Sequence, residues 1–134
     1  MLRYLVIIIA LFYSFPTLAW QDSSLIYSEL HLSINQGDEK RLSKYFGTGV
    51  ELAITGDEGV YSQVQAQHIM KDFFQNFPPD TFHITYYGGG KGPASYLIGE
   101  LACEERLFKI FISTIQDHRA TFIQQLRIEE LKDE

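Results

Sequence analysis

The chain has 134 residues, with 11 Lys and Arg against 17 Asp and Glu and a formal charge of −6. That length suits one domain rather than two, and an acidic surface repels phosphate backbones, which argues against general nucleic-acid binding. A hydrophobic content of 46% with 14% aromatic excludes a disordered chain, and a single cysteine excludes an intrachain disulfide.

Met1-Leu2-Arg3 is a short basic start, and Tyr4 to Tyr13 is an apolar run. Ser14, Pro16, Thr17 and Ala19 then bring small residues and a helix breaker. This is the layout of a secretory signal peptide cleaved after Ala19. The apolar run is too short for a bilayer core of about 30 Å, which needs about 20 residues. A retained anchor is the alternative; no cysteine follows the run to carry a lipid. The expected organisation is a signal peptide over 1–19 and one domain over 20–134. The product is expected in the periplasm or secreted, and off the membrane once the signal is removed.

From Asp22 to Asn35 the chain reads as a helix. Ile26, Leu30 and Ile34 form an apolar stripe with Leu25 beside it, and Asp22, Ser23 or Ser24 supplies a cap. Gly37 ends this helix. Asp38 caps a second one through Phe46, buried on Leu42, Tyr45 and Phe46 and stopped by Gly47 and Gly49. Val50 to Ile54 alternates as a strand, with Val50, Leu52 and Ile54 on one face and Glu51 and Ala53 on the other. Thr55 to Gly59 is turn chemistry, and Val60-Tyr61 is a short return strand. Ser62 and Gln65 form a capping box for a third helix that runs to Asn76. Ala66, Met70, Phe73, Phe74 and Phe77 are its buried stripe, and Pro78-Pro79 follows.

Phe82 to Tyr87, Tyr96 to Cys103, Leu107 to Thr114 and Thr121 to Glu129 read as consecutive strands. The order α-α-β-β-α-β-β-β-β puts helices early and strands late. That is an α+β domain with an antiparallel sheet.

This order and length resemble the nuclear transport factor 2-like superfamily, a cystatin-like α+β cone that includes ketosteroid isomerases and polyketide cyclases of the SnoaL type. The resemblance runs from Asp22 to Glu129. It is closer to a family of small exported bacterial proteins of unknown function within that group. The fragments that carry it are Gly37-Asp38 with Leu42-Ser43-Lys44-Tyr45-Phe46, Val50-Glu51-Leu52, Gly59-Val60-Tyr61-Ser62, Lys71-Asp72-Phe73-Phe74, Ile98-Gly99 and Gln125-Leu126-Arg127-Ile128-Glu129. The resemblance implies a curved antiparallel sheet wrapped around helices, with an open mouth. It implies no activity, because one fold hosts many functions.

In the isomerases of this superfamily a carboxylate on the early strand is the general base. The matching place here falls on Leu52, which cannot take a proton. Glu51 is adjacent but turned to the other face, and a shift of one residue in register would bring it inward. Tyr45 and Tyr61 are the candidate oxyanion donors, against a plainer reading as hydrophobic bodies with satisfied hydroxyls. Glu51, Glu100 and His83 are the candidate acids or bases for an isomerase, cyclase or dehydratase acting on a small apolar substrate.

His31, His68, His83 and His118 are scattered singly, without metal-ligand spacing, so no metal is expected. Cys103 precedes Glu104 and Glu105, which disfavour a thiolate; it reads as a buried thiol, with pairing between chains as the alternative. Gly88 to Gly92 lacks the Ser or Thr after Lys91 and the following helix that a phosphate loop needs, and reads as a hairpin connection. No cofactor fingerprint is present.

A sheet with one wet face should alternate cleanly. Leu107 to Thr114 and Tyr96 to Cys103 instead carry apolar groups on both faces, which predicts a partly covered second face. Superfamily members often pair through the back of this sheet, so the resemblance implies a homodimer; a monomer with scattered apolar residues is the alternative. The cone is expected to be lined by Tyr45, Leu52, Ile54, Phe73, Phe74, Phe82, Ile84, Tyr86 and Leu126. These residues either hold a small apolar ligand or pack together as core. The expected function is thus a non-catalytic ligand-binding or protein-interaction module, with the enzyme as the alternative.

Overall fold

The computed structural model describes residues 23–89, 92–118 and 120–132. The signal segment expected over 1–19 and the cap expected at Asp22 lie outside the described residues, as do Gly90 and Lys91 of the glycine-rich connection.

Helix α1 (Ser23–Asn35) buries Leu30 and Ile34, with Ile26 and Tyr27 packed at the edge of the same cluster. It ends in a Schellman motif. The Asp38 amide donates to the Ser33 carbonyl at 2.8 Å and the Gly37 amide to the Ile34 carbonyl at 3.1 Å, with Gly37 left-handed at φ +64°. Helix α2 (Glu39–Ser43) follows at once, its first turn capped by Asp38, whose Oδ1 accepts from the Arg41 amide at 3.0 Å.

Helix α2 stops at Ser43, short of the expected Phe46. Strand β1 (Phe46–Ile54) begins where the sequence suggested a helix end. Gly47 and Gly49 have no side chain to show alternation, and the segment joins the sheet through its backbone: Phe46 pairs with Ile123 before a bulge that runs to Glu51. A two-residue turn, Thr55 and Gly56 at φ +47° and +99°, leads to β2 (Asp57–Tyr61). Two left-handed residues make the hairpin turn whose twist suits the flanking strands. Ser62 and Gln65 then form the capping box of α3 (Gln63–Asn76): the Gln65 amide donates to Ser62 Oγ and the Ser62 amide to Gln65 Oε1. Ala66, Met70, Phe73 and Phe74 are buried on α3.

Strands β3 (Thr81–Gly89), β4 (Ala94–Cys103), β5 (Arg106–Asp117) and β6 (Ala120–Leu131) complete one curved, unclosed six-stranded sheet in the order β2-β1-β6-β5-β4-β3. Neighbours run antiparallel throughout except β1 and β6, which are parallel. Helix α3 carries the chain from β2 at one edge to β3 at the other, and the meander returns β6 to β1. The core lies between helices and sheet. Phe73 meets Phe108 edge-on at 5.3 Å, and Phe77 lies 5.0 Å from the same ring. The architecture is α+β, with the element order read from the sequence.

Candidate functional site

Pairing places residues of adjacent strands on a common face, so registers map both sides of the sheet. The inner face carries Val50, Leu52, Phe82, Leu97, Leu101, Phe108, Ile110, Ile112, Leu126 and Ile128, all buried. Of the residues chosen to line the cone, Leu52, Phe73, Phe74, Phe82 and Leu126 are members of this core, and Tyr45, Ile54 and Ile84 are partly buried against it.

Tyr86 is different. A bulge between Ile84 and Tyr86 sets Tyr86 opposite Ile98, on the outer face, where it is 52% exposed. Strict alternation would have kept it inside with Phe82 and Ile84. Tyr87 takes the inner side instead, pairs with Leu97 and lies tilted against Tyr27 of α1, ring centres 5.3 Å apart.

The candidate acids and bases do not reach the core. Glu51, Glu100 and His83 are exposed, on outer-face positions of β1, β4 and β3. Among the described residues the buried polar side chains are Ser33, Ser43 and Thr114, and each donates to a backbone carbonyl. His83 pairs with Glu100, and Glu100 with Lys109. Asp117, next to His118, lies eight positions further along β5, roughly 27 Å at about 3.4 Å per residue. His83 and His118 therefore do not meet. Among the described residues no three His, Cys, Asp or Glu side chains are grouped as metal ligands.

Tyr45 sits beside an ion pair that sequence spacing does not show. Arg41 donates from Nε to Glu29 Oε2 at 2.9 Å and from Nη2 to Oε1 at 3.1 Å, a bidentate contact. It holds the Glu29 carboxyl below its ordinary range. Burial, and then the neighbouring Glu29 charge, pushes the Tyr45 phenol up. These residues line an open cleft of about 450 Å³ with Asp38, Lys40 and Lys44. A wider cleft of about 780 Å³ lies at the sheet end, between Lys44, the Gly47–Gly49 stretch, Gln63 and Phe122.

The outer face is the more distinctive surface. Tyr86 stacks on Tyr96 at 5.6 Å, and Tyr96 lies 5.9 Å from Phe111, so one aromatic file crosses three strands. Hydrogen bonding of the Tyr96 hydroxyl to the Tyr86 oxygen is the main cause that raises the Tyr96 phenol above its ordinary value. Ile98 sits between Tyr86 and Phe111 in the same row, and Arg127 follows Phe111. Arg127 reaches Glu129 at 3.6 Å and Glu58 at 3.7 Å, and its pairing partner Ala53 is buried. Alternation had indicated apolar groups on both faces of β4 and β5. The aromatic file itself depends on the bulge that turns Tyr86 outward.

A family model described as a domain of unknown function (DUF4783) matches residues 27–129. The chain belongs to the DUF4783 family. A DUF4783 family protein from Bacteroides ovatus is 24% identical at a TM-score of 0.75, over 79% of this chain and 96% of that one. Another from Bacteroides uniformis is 22% identical at 0.75, over 79% and 97%. A nuclear transport factor 2-like protein of unknown function from Silicibacter pomeroyi is 13% identical at 0.60, over 81% and 92%. These likenesses establish the nuclear transport factor 2-like fold for this DUF4783 chain. No curated protein matches it.

Proposed function

We propose that this DUF4783 protein is an exported interaction module that works through the outer face of its sheet, and that it pairs with a second copy there. Export rests on the basic, apolar and small-residue layout of residues 1–19. The observation that carries the interaction reading is the aromatic file. Tyr86 and Tyr96 are 52% and 37% exposed, Tyr86 stacks on Tyr96, and Tyr96 lies tilted beside Phe111. Contiguous exposed apolar surface marks interaction sites in soluble proteins.

The inner side offers a ligand less. Its aromatic rings pack on one another, and its buried polar atoms, among the described residues, are hydrogen-bonded. A packed core of this kind has no convergent polar groups to orient a small molecule. Light scattering on residues 20–134 tests the reading: a mass of two chains at tens of micromolar is expected, and a single-chain mass at that concentration overturns it.

A further inference from the structure

Strand β6 falls out of step with both of its neighbours at the same residue. The register of β1 on β6 passes from Phe46–Ile123 to Glu51–Gln125, and that of β5 on β6 from Thr114–Ile123 to Ser113–Gln125. Both registers skip Gln124, which is exposed. Over that stretch β1 runs five residues while β6 advances two. At about 3.3 Å per residue, roughly 16 Å of β1 spans roughly 7 Å of β6, so Gly47 to Val50 arch away from the line of the sheet. The arch borders the cleft of about 780 Å³ at the sheet end. Small-ligand sites occupy about 300–1,000 Å³.

Floor and rim of this cleft differ in chemistry. Ile115 and Phe122 pair across β5 and β6 and share one face, with Ile115 exposed and Phe122 half-buried. Gly47 stands beside Phe122: a Cβ there would lie 3.8 Å from the Phe122 Cβ. Glycine at that point puts no side chain of β1 over the ring. Three primary amides, Gln63, Gln116 and Gln124, line the cleft as well. Gln63 is fixed by its Nε2, which donates to the Ser43 carbonyl at 2.8 Å and leaves Oε1 to accept. Gln116 and Gln124 are exposed. The charges of Lys44 and Asp117, also in the lining, cancel.

We propose that this cleft binds a neutral oligosaccharide. A pyranose ring has an apolar C–H face and a rim of hydroxyls that both donate and accept. The C–H face suits Phe122, whose ring face is electron-rich. The hydroxyls suit primary amides, which offer donors and an acceptor on one uncharged side chain. Other ligand classes fit less well. An anion such as a nucleotide meets one cation and one carboxylate, on a chain of charge −6. An apolar molecule needs most of its surface buried, and this cleft is open. An extended peptide needs a straight edge to pair with, and β1 is arched where it borders the cleft. The site lies four residues along β5 from Phe111, apart from the aromatic file, and stands whether or not two copies pair there.

Solution NMR reads the site directly. Isotope-labelled residues 20–134 are titrated separately with maltotriose, cellotriose, mannotriose and N,N′,N″-triacetylchitotriose. At least one should shift the backbone amides of Gly47 to Gly49 and the side-chain amides of Gln116 and Gln124, saturating with a Kd of about 5 mM or tighter. Gln124→Ala should weaken that saccharide about fivefold, the loss of one hydrogen bond, and Phe122→Leu, which keeps an apolar body, by about as much. Both variants should keep the wild-type spectrum away from the cleft. No saturable shift from any of the four saccharides overturns the proposal, as does a shift centred on Tyr86, Tyr96 and Phe111. Affinity unchanged in both variants overturns it too. If acetyl-trialanine amide shifts Gly47 to Gly49 and no saccharide does, the cleft is a peptide groove and the proposal falls.

Discussion

His31 and Phe82, 51 residues apart, are joined by a hydrogen bond of 2.7 Å from imidazole Nε2 to the Phe82 carbonyl. Asn35, one turn further along α1, accepts from the Phe82 amide at 2.9 Å. Strand β3 is a sheet edge, and an edge exposes unpaired backbone groups to other chains. Helix α1 satisfies both groups of Phe82 with side chains, which closes that point of the edge and anchors the helix across the inner face.

Removing either side chain leaves a buried backbone group without its partner. His31→Ala and Asn35→Ala should each lower stability by about 1–3 kcal/mol, measured by urea unfolding. His31→Gln, which keeps a donor, should recover part of the loss.

Gly99 explains one of the fragments read from the sequence. A Cβ there would run into the Phe82 ring and come within 2.7 Å of the His83 carbonyl oxygen. The ring therefore lies against bare backbone. Gly99→Ala should displace it and cost about 1–3 kcal/mol through overpacking, seen as a lower midpoint in thermal unfolding.

Thr55 occupies a left-handed conformation that disfavours a β-branched side chain. It is exposed, and Asn-Gly is the favoured pair for such a turn. Thr55→Asn should raise stability by up to about 1 kcal/mol, while Gly37→Ala, at another left-handed position, should lower it by a similar amount or more. Paired denaturant titrations of the two variants check both signs.

Cys103 sets an alkaline limit. Burial raises its thiol from an ordinary value of 9.0 to about 11, with Asp80 and Glu104 acting in the same direction. The unfolded chain then releases its proton first as pH rises. The stabilisation is complete below about pH 9 and is lost progressively towards pH 11. Cys103→Ala should flatten unfolding stability against pH over that window. The raised phenols of Tyr45 and Tyr96 act with the same sign, so a residual slope should remain at the upper end.

Local signals were legible in the sequence because their causes are local. Asp38 and the Ser62–Gln65 box cap the helices they suggested, and Leu30, Ile34, Met70 and Phe73 face inward as periodicity implied. What escaped depends on contacts distant in sequence. The parallel union of β1 and β6 joins Leu52 to Leu126 and has no signature in either strand. The start of β1 at Phe46 was hidden because Gly47 and Gly49 show no alternation. One bulge next to Ile84 reverses every later inside–outside assignment on β3, which is why Tyr86 was placed inside and Tyr87 was not.

The outer face as an interaction surface is the central claim, and Phe111 is its test. Sedimentation velocity should show wild-type residues 20–134 as a dimer and Phe111→Lys as a monomer, with the variant's thermal midpoint close to the wild-type monomeric fold under dilution. A Phe111→Lys protein that is folded and still dimeric would contradict the account.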